Sequence, residues 1–314
     1  MFKKIYDMIS HNQSIVIARH KAPDFDAFGS QFGMYYALKN HFPEKTIYVI
    51  GDTNQLNQFR PMDEVDSITL SESLLIILDT SVKQMMRSED YDRAKAVIIM
   101  DHHQNDSDIE NDLFYRDSEI SSCSELVASF LMENGIEITK EAAKPLFMGI
   151  VGDTGRFLYS GTGPQTFRVA AKLQETGISL PSIYNSMYLE SLNMKRIKTE
   201  YLSDFHISPH GVGYRFIDRE FLEMNGISSS KASRGLVNQL SGIREIPVWA
   251  NFTYDTESGK IFCELRSRET PIVDIAKKYG GGGHLLACGC TVDNWEEAQA
   301  VVDDLDQLLE EDNG

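Results

Sequence analysis

The sequence predicts an α/β protein: a mainly parallel sheet with helices on both faces, then a linker helix, then a smaller α/β domain. Three observations predict it. Short apolar runs at 14–18, 46–50, 74–78 and 96–100 have the length of strands and alternate with segments of helical apolar spacing, the pattern of parallel strands joined by crossover helices. From about residue 200 the texture changes to paired runs separated by turn residues, which reads as more antiparallel. The chain of 314 residues is long for one domain and comfortable for two.

Taken in order, residues 2–12 read as an amphipathic helix and 14–18 as a strand ending at Arg19 and His20. A loop with Pro23 follows and holds Asp24 and Asp26, and 29–41 has helical spacing through Phe32, Tyr35, Tyr36 and Leu38. Strands at 46–50, 74–78 and 96–100 come next, then helical patterns at 124–134, 140–150 and 165–176. Residues 186–200, helix-prone and carrying Lys and Arg, read as a linker between a domain at 1–185 and another at 201–314. In the second, 201–207 and 212–217 flank His210-Gly211, and 248–254 and 260–265 flank a second turn. Helices are expected at 228–239, 271–279 and 295–309.

Composition excludes several classes. No apolar run approaches the roughly 20 residues that cross a bilayer, and the N-terminus lacks a signal-peptide pattern, so no membrane partner and a cytoplasmic location are expected. Cys123, Cys263, Cys288 and Cys290 are too few and scattered for a disulfide framework and read as reduced structural thiols. The net charge of −17 repels a long polyanion, whereas cations in an acidic site and a few arginines can still hold a short anionic substrate. The acidic segment from 296 to 312 reads as the solvated face of a terminal helix.

The chemistry concentrates where apolar runs end. His20, Asp24 and Asp26 follow the first run, Asp79 the third and Asp101-His102-His103 the fourth, while Asp153 follows the apolar stretch 146–151. Read as four strand ends, these lie on the edge of an open sheet that binds ligands. Carboxylates and imidazoles without a thiol suit Mn²⁺ or Mg²⁺ better than structural zinc. Asp79 alone also reads as a helix N-cap, and Asp101 as a residue that orients a neighbouring histidine. In the second domain Gly280-Gly281-Gly282-Gly283-His284 offers backbone N–H groups to a phosphate, or else a helix cap and loop. Arg266 and Arg268 can add charge-assisted bonds there. Arg156 reads as lining a cleft or as an exposed ion pair.

His20…Asp24-Phe25-Asp26-Ala27-Phe28-Gly29-Ser30, Asp79, Asp101-His102-His103…Asn105 and Gly152-Asp153-Thr154-Gly155 stand in the order of the DHH phosphoesterase superfamily, which the chain resembles. Arg266-Ser267 and the glycine-rich run ending at His284 look like the DHH-associated domain, and the likeness is to the nanoRNase branch. The resemblance covers essentially the whole chain. It implies two Mn²⁺ ions, with Mg²⁺ the other candidate: His20, Asp24 and Asp79 on one, and Asp26, Asp79, His102 and Asp153 on the other. It makes Asp79, His102 and His103 catalytic, His103 facing the scissile phosphate, and Arg266, Ser267, Gly281, Gly282, Gly283 and His284 substrate-binding. The implied reaction is hydrolysis of very short oligoribonucleotides, linear di-adenylate included, to 5′-mononucleotides. Alternatives are 3′-phosphoadenosine 5′-phosphate phosphatase, cyclic di-adenylate phosphodiesterase, and a nucleotide-binding regulator without activity. The expected partner is a short RNA or nucleotide, not long nucleic acid, with a homodimer left open. Phe25 departs from the smaller residue usual between the two aspartates, so its side chain is expected to point away from the metals. Residues 285–290 depart from the usual Pro, Ser and Ala.

Overall fold

The computed structural model describes residues 1–87 and 89–312. Two compact units divide the chain, Met1–Leu189 and Glu190–Gly314. No helix among the described residues is long and apolar enough to cross a membrane.

The first unit is built on five parallel strands, β1 (Ser14–Arg19), β2 (Thr46–Val49), β3 (Leu74–Leu78), β4 (Ala96–Asp101) and β5 (Leu113–Arg116), in the order β2-β1-β3-β4-β5. β1, β3 and β4 are near-continuous apolar runs because both faces of a parallel sheet are covered. Alternate side chains feed two cores. Ile15, Ile17, Leu74, Ile76, Ile98 and Met100 face one cluster, while Val16, Ala18, Leu75, Ile77, Val97 and Ile99 face the other. The first face is covered by α1 (Phe2–His11), α2 (Phe25–His41), α4 (Cys123–Glu133) and α5 (Lys140–Asp153), with α6 (Pro164–Glu175) and α7 (Leu180–Tyr188) outside them. Leu70 of α3 (Ser67–Glu72), Tyr91 and Ile109 cover the second. The strand order reverses between β1 and β3, so a crevice is expected beyond their carboxyl ends.

α5 approaches both α2 and α4 closely. A Cβ on Gly29 would stand 2.6 Å from the Pro145 carbonyl oxygen, and one on Gly149 would stand 1.9 Å from Ser124 Oγ. Two expectations are corrected here. α2 begins at Phe25 rather than 29, because Asp24 Oδ1 accepts the N–H groups of Asp26 and Ala27 at 2.9 Å each and caps it. Asp26 is therefore in the first helical turn, not in a loop. α5 runs on to Asp153, so the fourth acidic position ends a helix rather than a strand.

The second unit holds β6 (His206–Ile207), β7 (Val212–Ile217), β8 (Val248–Tyr254), β9 (Ile261–Ser267), β10 (Gly282–His284) and β11 (Ala287–Val292), in the order β10-β11-β9-β8-β7-β6. Among the described residues of this unit only β7 and β8 pair in parallel. Its helices are α8 (Leu192–Ser203), α9 (Arg219–Asn225), α10 (Ser229–Leu236), α11 (Val273–Lys278) and α12 (Trp295–Asp312). The strand expected at 201–207 shrinks to β6. Ile197 and Tyr201, one helical turn apart, are buried together on α8 against Ile217 and Ile246. Residues 186–200 are thus divided: α7 closes the first unit, and α8 contributes to the core of the second.

Candidate metal centre

Each side chain of the acidic group is aimed by a local device. His20 is the first residue beyond β1, and its Nδ1 lies 2.8 Å from the Lys21 carbonyl oxygen. That contact turns Nε2 toward Asp79 Oδ2 at 3.3 Å and Asp24 Oδ1 at 3.8 Å. Asp79 follows β3 in a left-handed conformation, φ 63°, with its N–H given to the Met100 carbonyl at 3.1 Å. An aspartate held there is costly backbone geometry of the kind found at functional sites. His102 follows β4, and its Nε2 stands 3.2 Å from Asp153 Oδ2, 3.4 Å from Asp79 Oδ1 and 3.9 Å from Asp26 Oδ2.

Asp26 is fully enclosed, yet both its oxygens are satisfied: Oδ1 accepts Ser124 N–H at 2.8 Å and Oδ2 accepts Cys123 N–H at 2.7 Å. These are N–H groups of the first turn of α4, where the helix dipole favours a negative charge. His103 is held through Nδ1 by Asp101 Oδ1 at 2.8 Å and lies 3.9 Å from Asp79 Oδ1. Phe25 packs against α5 at Gly152.

Among the described residues three sets of ligand atoms each lie within 4.8 Å of one another: His20, Asp24 and Asp79; Asp26, His102 and Asp153; and Asp79, His102 and His103. Asp79 presents one oxygen toward His20 and the other toward His102. The donors fit divalent cations on two grounds. Asp79 Oδ1 and His102 Nε2 are buried without a hydrogen-bond partner, which a native interior seldom tolerates unless something else binds there. The donor set is carboxylate and imidazole only, the chemistry of Mg²⁺ and Mn²⁺.

Electrostatics point the same way. Burial alone would lower the His20 and His102 pKa values, but close contact with Asp79, joined for His102 by the charges of Asp26 and Asp153, outweighs it and raises them to about 9 and about 10. Asp79 is held below the usual carboxylate range: its burial acts the other way, and the close approach of the two imidazoles outweighs it. Burial, then the charge of Asp79, lifts Asp26 to about 7. Burial, then Asp26 and Asp79, lifts Asp153 well above the ordinary value. The pocket carries more carboxylate than two imidazolium ions neutralise, a deficit that a cation fills.

The other expected site residues lie in the second unit. Arg266 on β9 donates to the carbonyls of Leu265 and Cys288 at 2.8 and 3.3 Å and to Glu264 Oε2 at 3.0 Å. Ser267 Oγ is buried without a partner. Gly280, at φ 73°, gives its N–H to Lys277, and Gly281 gives its own to Ala276, closing α11 in a Schellman arrangement. Those two donors are spent on the cap. Gly282, Gly283 and His284 form the exposed edge strand β10.

The sequence reading missed the α4 N-terminus that holds Asp26 and the glycine that lets the helices meet. A signal existed: Gly149 precedes Asp153 by one helical turn, so both share a face of α5.

Residues 14–150 match the DHH family, N-terminal domain, and residues 221–311 match the DHHA1 domain. The Bacillus subtilis bifunctional oligoribonuclease and PAP phosphatase NrnA is 34% identical, covering 96% of this chain and 97% of that protein. The Thermus thermophilus protein of the same name is 30% identical, covering 95% and 90%. The cyclic-di-AMP phosphodiesterase GdpP of Geobacillus thermodenitrificans is 25% identical over 89% of this chain but only 44% of its own length. A solved exopolyphosphatase-related protein from Bacteroides fragilis superposes with a TM-score of 0.86 at 26% identity, covering 99% of this chain and 95% of that one.

Proposed function

This chain belongs to the DHH family of phosphoesterases, metal-dependent hydrolases, and on that premise we propose that it is a Mn²⁺-dependent phosphodiesterase of very short oligoribonucleotides. The products are 5′-mononucleotides, and linear di-adenylate is among the substrates. The observation that carries the reading is Asp79, whose two oxygens belong to two adjoining ligand sets. His20, Asp24 and Asp79 would hold one ion, and Asp26, Asp79, His102 and Asp153 would hold the other. Bound there, divalent cations supply an acidified water and neutralise charge on the phosphoryl oxygens.

The protein's own groups supply position. The N–H groups of α4 fix Asp26 before any ligand arrives, so little reorganisation is needed. His103, its Nδ1 tied to Asp101, is the group we assign to contact a phosphoryl oxygen or to protonate the leaving oxygen. Turnover unchanged in His103→Ala would remove that role. In the second unit Arg266, Ser267, Gly281, Gly282, Gly283 and His284 are assigned to the substrate. The cap at 280–281 commits the Gly281 N–H, leaving that residue a lining role, and β10 shares the N–H groups of 282–284 with its ladder to β11; Glu264 sets the angle of Arg266.

The net charge of −17 supports a short substrate over a long one, and the assigned location is the cytoplasm. Hydrolysis of 3′-phosphoadenosine 5′-phosphate is a second reading, supported by relatives whose names carry both activities. Cyclic di-adenylate hydrolysis ranks below it, since that relative is matched over less than half its length. The test is hydrolysis of labelled two-nucleotide and twenty-nucleotide RNA with Mn²⁺. Faster turnover of the short strand is expected, and preference for the long strand overturns the reading. Failure to hydrolyse either would favour a nucleotide-binding regulator. Sedimentation of the intact chain decides the homodimer.

A further inference from the structure

Just past Asp153 the backbone takes an unusual path. Gly155, Arg156 and Phe157 stand at φ 53°, 65° and 66°, a left-handed run in which two residues carry a Cβ. Buried Thr154 organises it. Its hydroxyl donates to the Ile150 carbonyl at 2.6 Å and accepts Phe157 N–H at 3.0 Å, and its carbonyl accepts the N–H groups of Leu158 and Tyr159 at 2.9 Å each. Arg156 N–H returns to Val151 at 2.8 Å. The turn is fully bonded, so the Arg156 side chain springs from a fixed base.

That side chain is exposed, and its guanidinium carbon lies 5.1 Å from the centre of the Tyr188 ring, which packs on Tyr184 at 5.9 Å. Stacking occupies the face of a guanidinium and leaves its N–H edge open. Among the described residues Arg156 has no carboxylate within ion-pair distance, whereas Arg60, Arg87 and Arg116 of the same unit pair with Asp63, Asp52 and Asp106. A charge placed merely to complement the C-terminus of α5 would reach its carbonyls. No side-chain bond from Arg156 to them occurs among the described residues. In a chain of net charge −17, an arginine kept clear of acids on a rigid turn suits an anion from outside.

We propose that Arg156, supported by Tyr188, is a subsite for a phosphate group of the substrate that is not cleaved: the 5′-phosphate of a two-nucleotide substrate. This rests on the reading of the chain as a phosphodiesterase of short oligonucleotides. Arg156 follows Asp153, the last residue of α5, by three residues, so a phosphate that it holds adjoins the acidic cluster.

The test compares di-adenylate with and without a 5′-phosphate, as kcat/KM and as equilibrium binding of 3′-labelled dinucleotides, in the full chain with Mn²⁺. In Arg156→Gln the preference for the 5′-phosphorylated form should fall roughly tenfold or more, carried by KM, the scale of one lost charge-assisted contact. Arg156→Lys should restore part of it, and Tyr188→Leu should lose part. Melting temperatures of all three variants check that the fold is kept. An unchanged ratio in Arg156→Gln, or equal losses on both substrates, overturns the proposal. A wild-type chain that cleaves neither dinucleotide sinks the functional reading instead, and the binding ratio still decides Arg156.

Discussion

The acidic group of the first unit and the glycine-rich run of the second are the two regions richest in polar chemistry, and they differ in what they lack. At the acidic group, Asp79 Oδ1 and His102 Nε2 are buried and unpaired, with a surplus of carboxylate around them. At the glycine-rich run, Gly280 and Gly281 have spent their N–H groups on a helix cap, and Arg266 is held by Glu264 and two carbonyls. The first region leaves ligand-type atoms unpaired at its centre; the glycine-rich run is exposed and largely bonded, with Ser267 Oγ beside Arg266 buried and unpaired among the described residues. A candidate metal site shows itself as unmet valence, whereas a surface proposed to take a passing substrate does not need to.

The largest effect that can break this comparison is Asp79→Asn. Asparagine tolerates the left-handed backbone at that position, so the substitution removes charge with little strain. Metal-stimulated phosphodiester hydrolysis should drop on the order of a thousandfold or more, with far-UV circular dichroism unchanged. Retained turnover would mean that Asp79 is not shared between two ions. Metal itself should act on stability: Mn²⁺ at about a hundred times its dissociation constant adds ~2.7 kcal/mol to the first unit. Calorimetry with and without a chelator measures this, and an unchanged transition would contradict the account of unmet valence.

Gly149→Ala comes next. A helical alanine gains about 1 kcal/mol in propensity, but its Cβ would stand 1.9 Å from Ser124 Oγ and 2.7 Å from Asp26 Oδ1. Overpacking at about 1–3 kcal/mol wins, so the melting temperature should fall and Mn²⁺ affinity should weaken with it.

Two glycines of the second unit sharpen the contrast. In Gly281→Ala the Cβ would stand 2.1 Å from the Gly289 carbonyl oxygen, a clash worth about 1–3 kcal/mol. In Gly282→Ala it meets nothing within 4 Å, and stability should move by less than about 0.5 kcal/mol. A rise in KM in Gly282→Ala alone would then report substrate contact, and equal stability of the two variants would refute the packing argument.

The smallest effect concerns acid. Burial pushes Asp306 up, but hydrogen bonds from Ser208, the His210 backbone and the His210 ring hold it below the ordinary value. Its contribution is therefore present above the unfolded pKa of about 3.9 and is lost as pH falls through the lowered folded value. Asp306→Asn should flatten the acid limb of the stability curve, which denaturant titration between neutral pH and about pH 3 would detect.

Much of this was legible in the sequence, for a physical reason. β1, β3 and β4 are buried on both faces, so their runs are unbroken, and the residue that follows each is marked by its contrast. His20, Asp79 and His102 were placed that way. Asp26 and Asp153 stand near His102 but on helices, whose ends the apolar pattern does not define. β5, only four residues with none fully buried, and α3, of six, lack the length to show a period. Four glycines together suggested ligand contact, yet much of that run serves chain geometry: Gly280 needs its left-handed φ, and Gly281 and Gly283 lie too close to β11 for a side chain.

The reversal of strand order between β1 and β3 has a kinetic meaning. The acidic cluster draws on residues from His20 to Asp153, joined only once parallel strands with long crossovers have found one another, the slow kind of pairing. A half-folded chain offers a cation scattered carboxylates and no cage. Metal loading is then a late event that rewards finished topology, slowing unfolding more than it speeds folding. Stopped-flow refolding with and without Mn²⁺ should show that asymmetry between the two limbs.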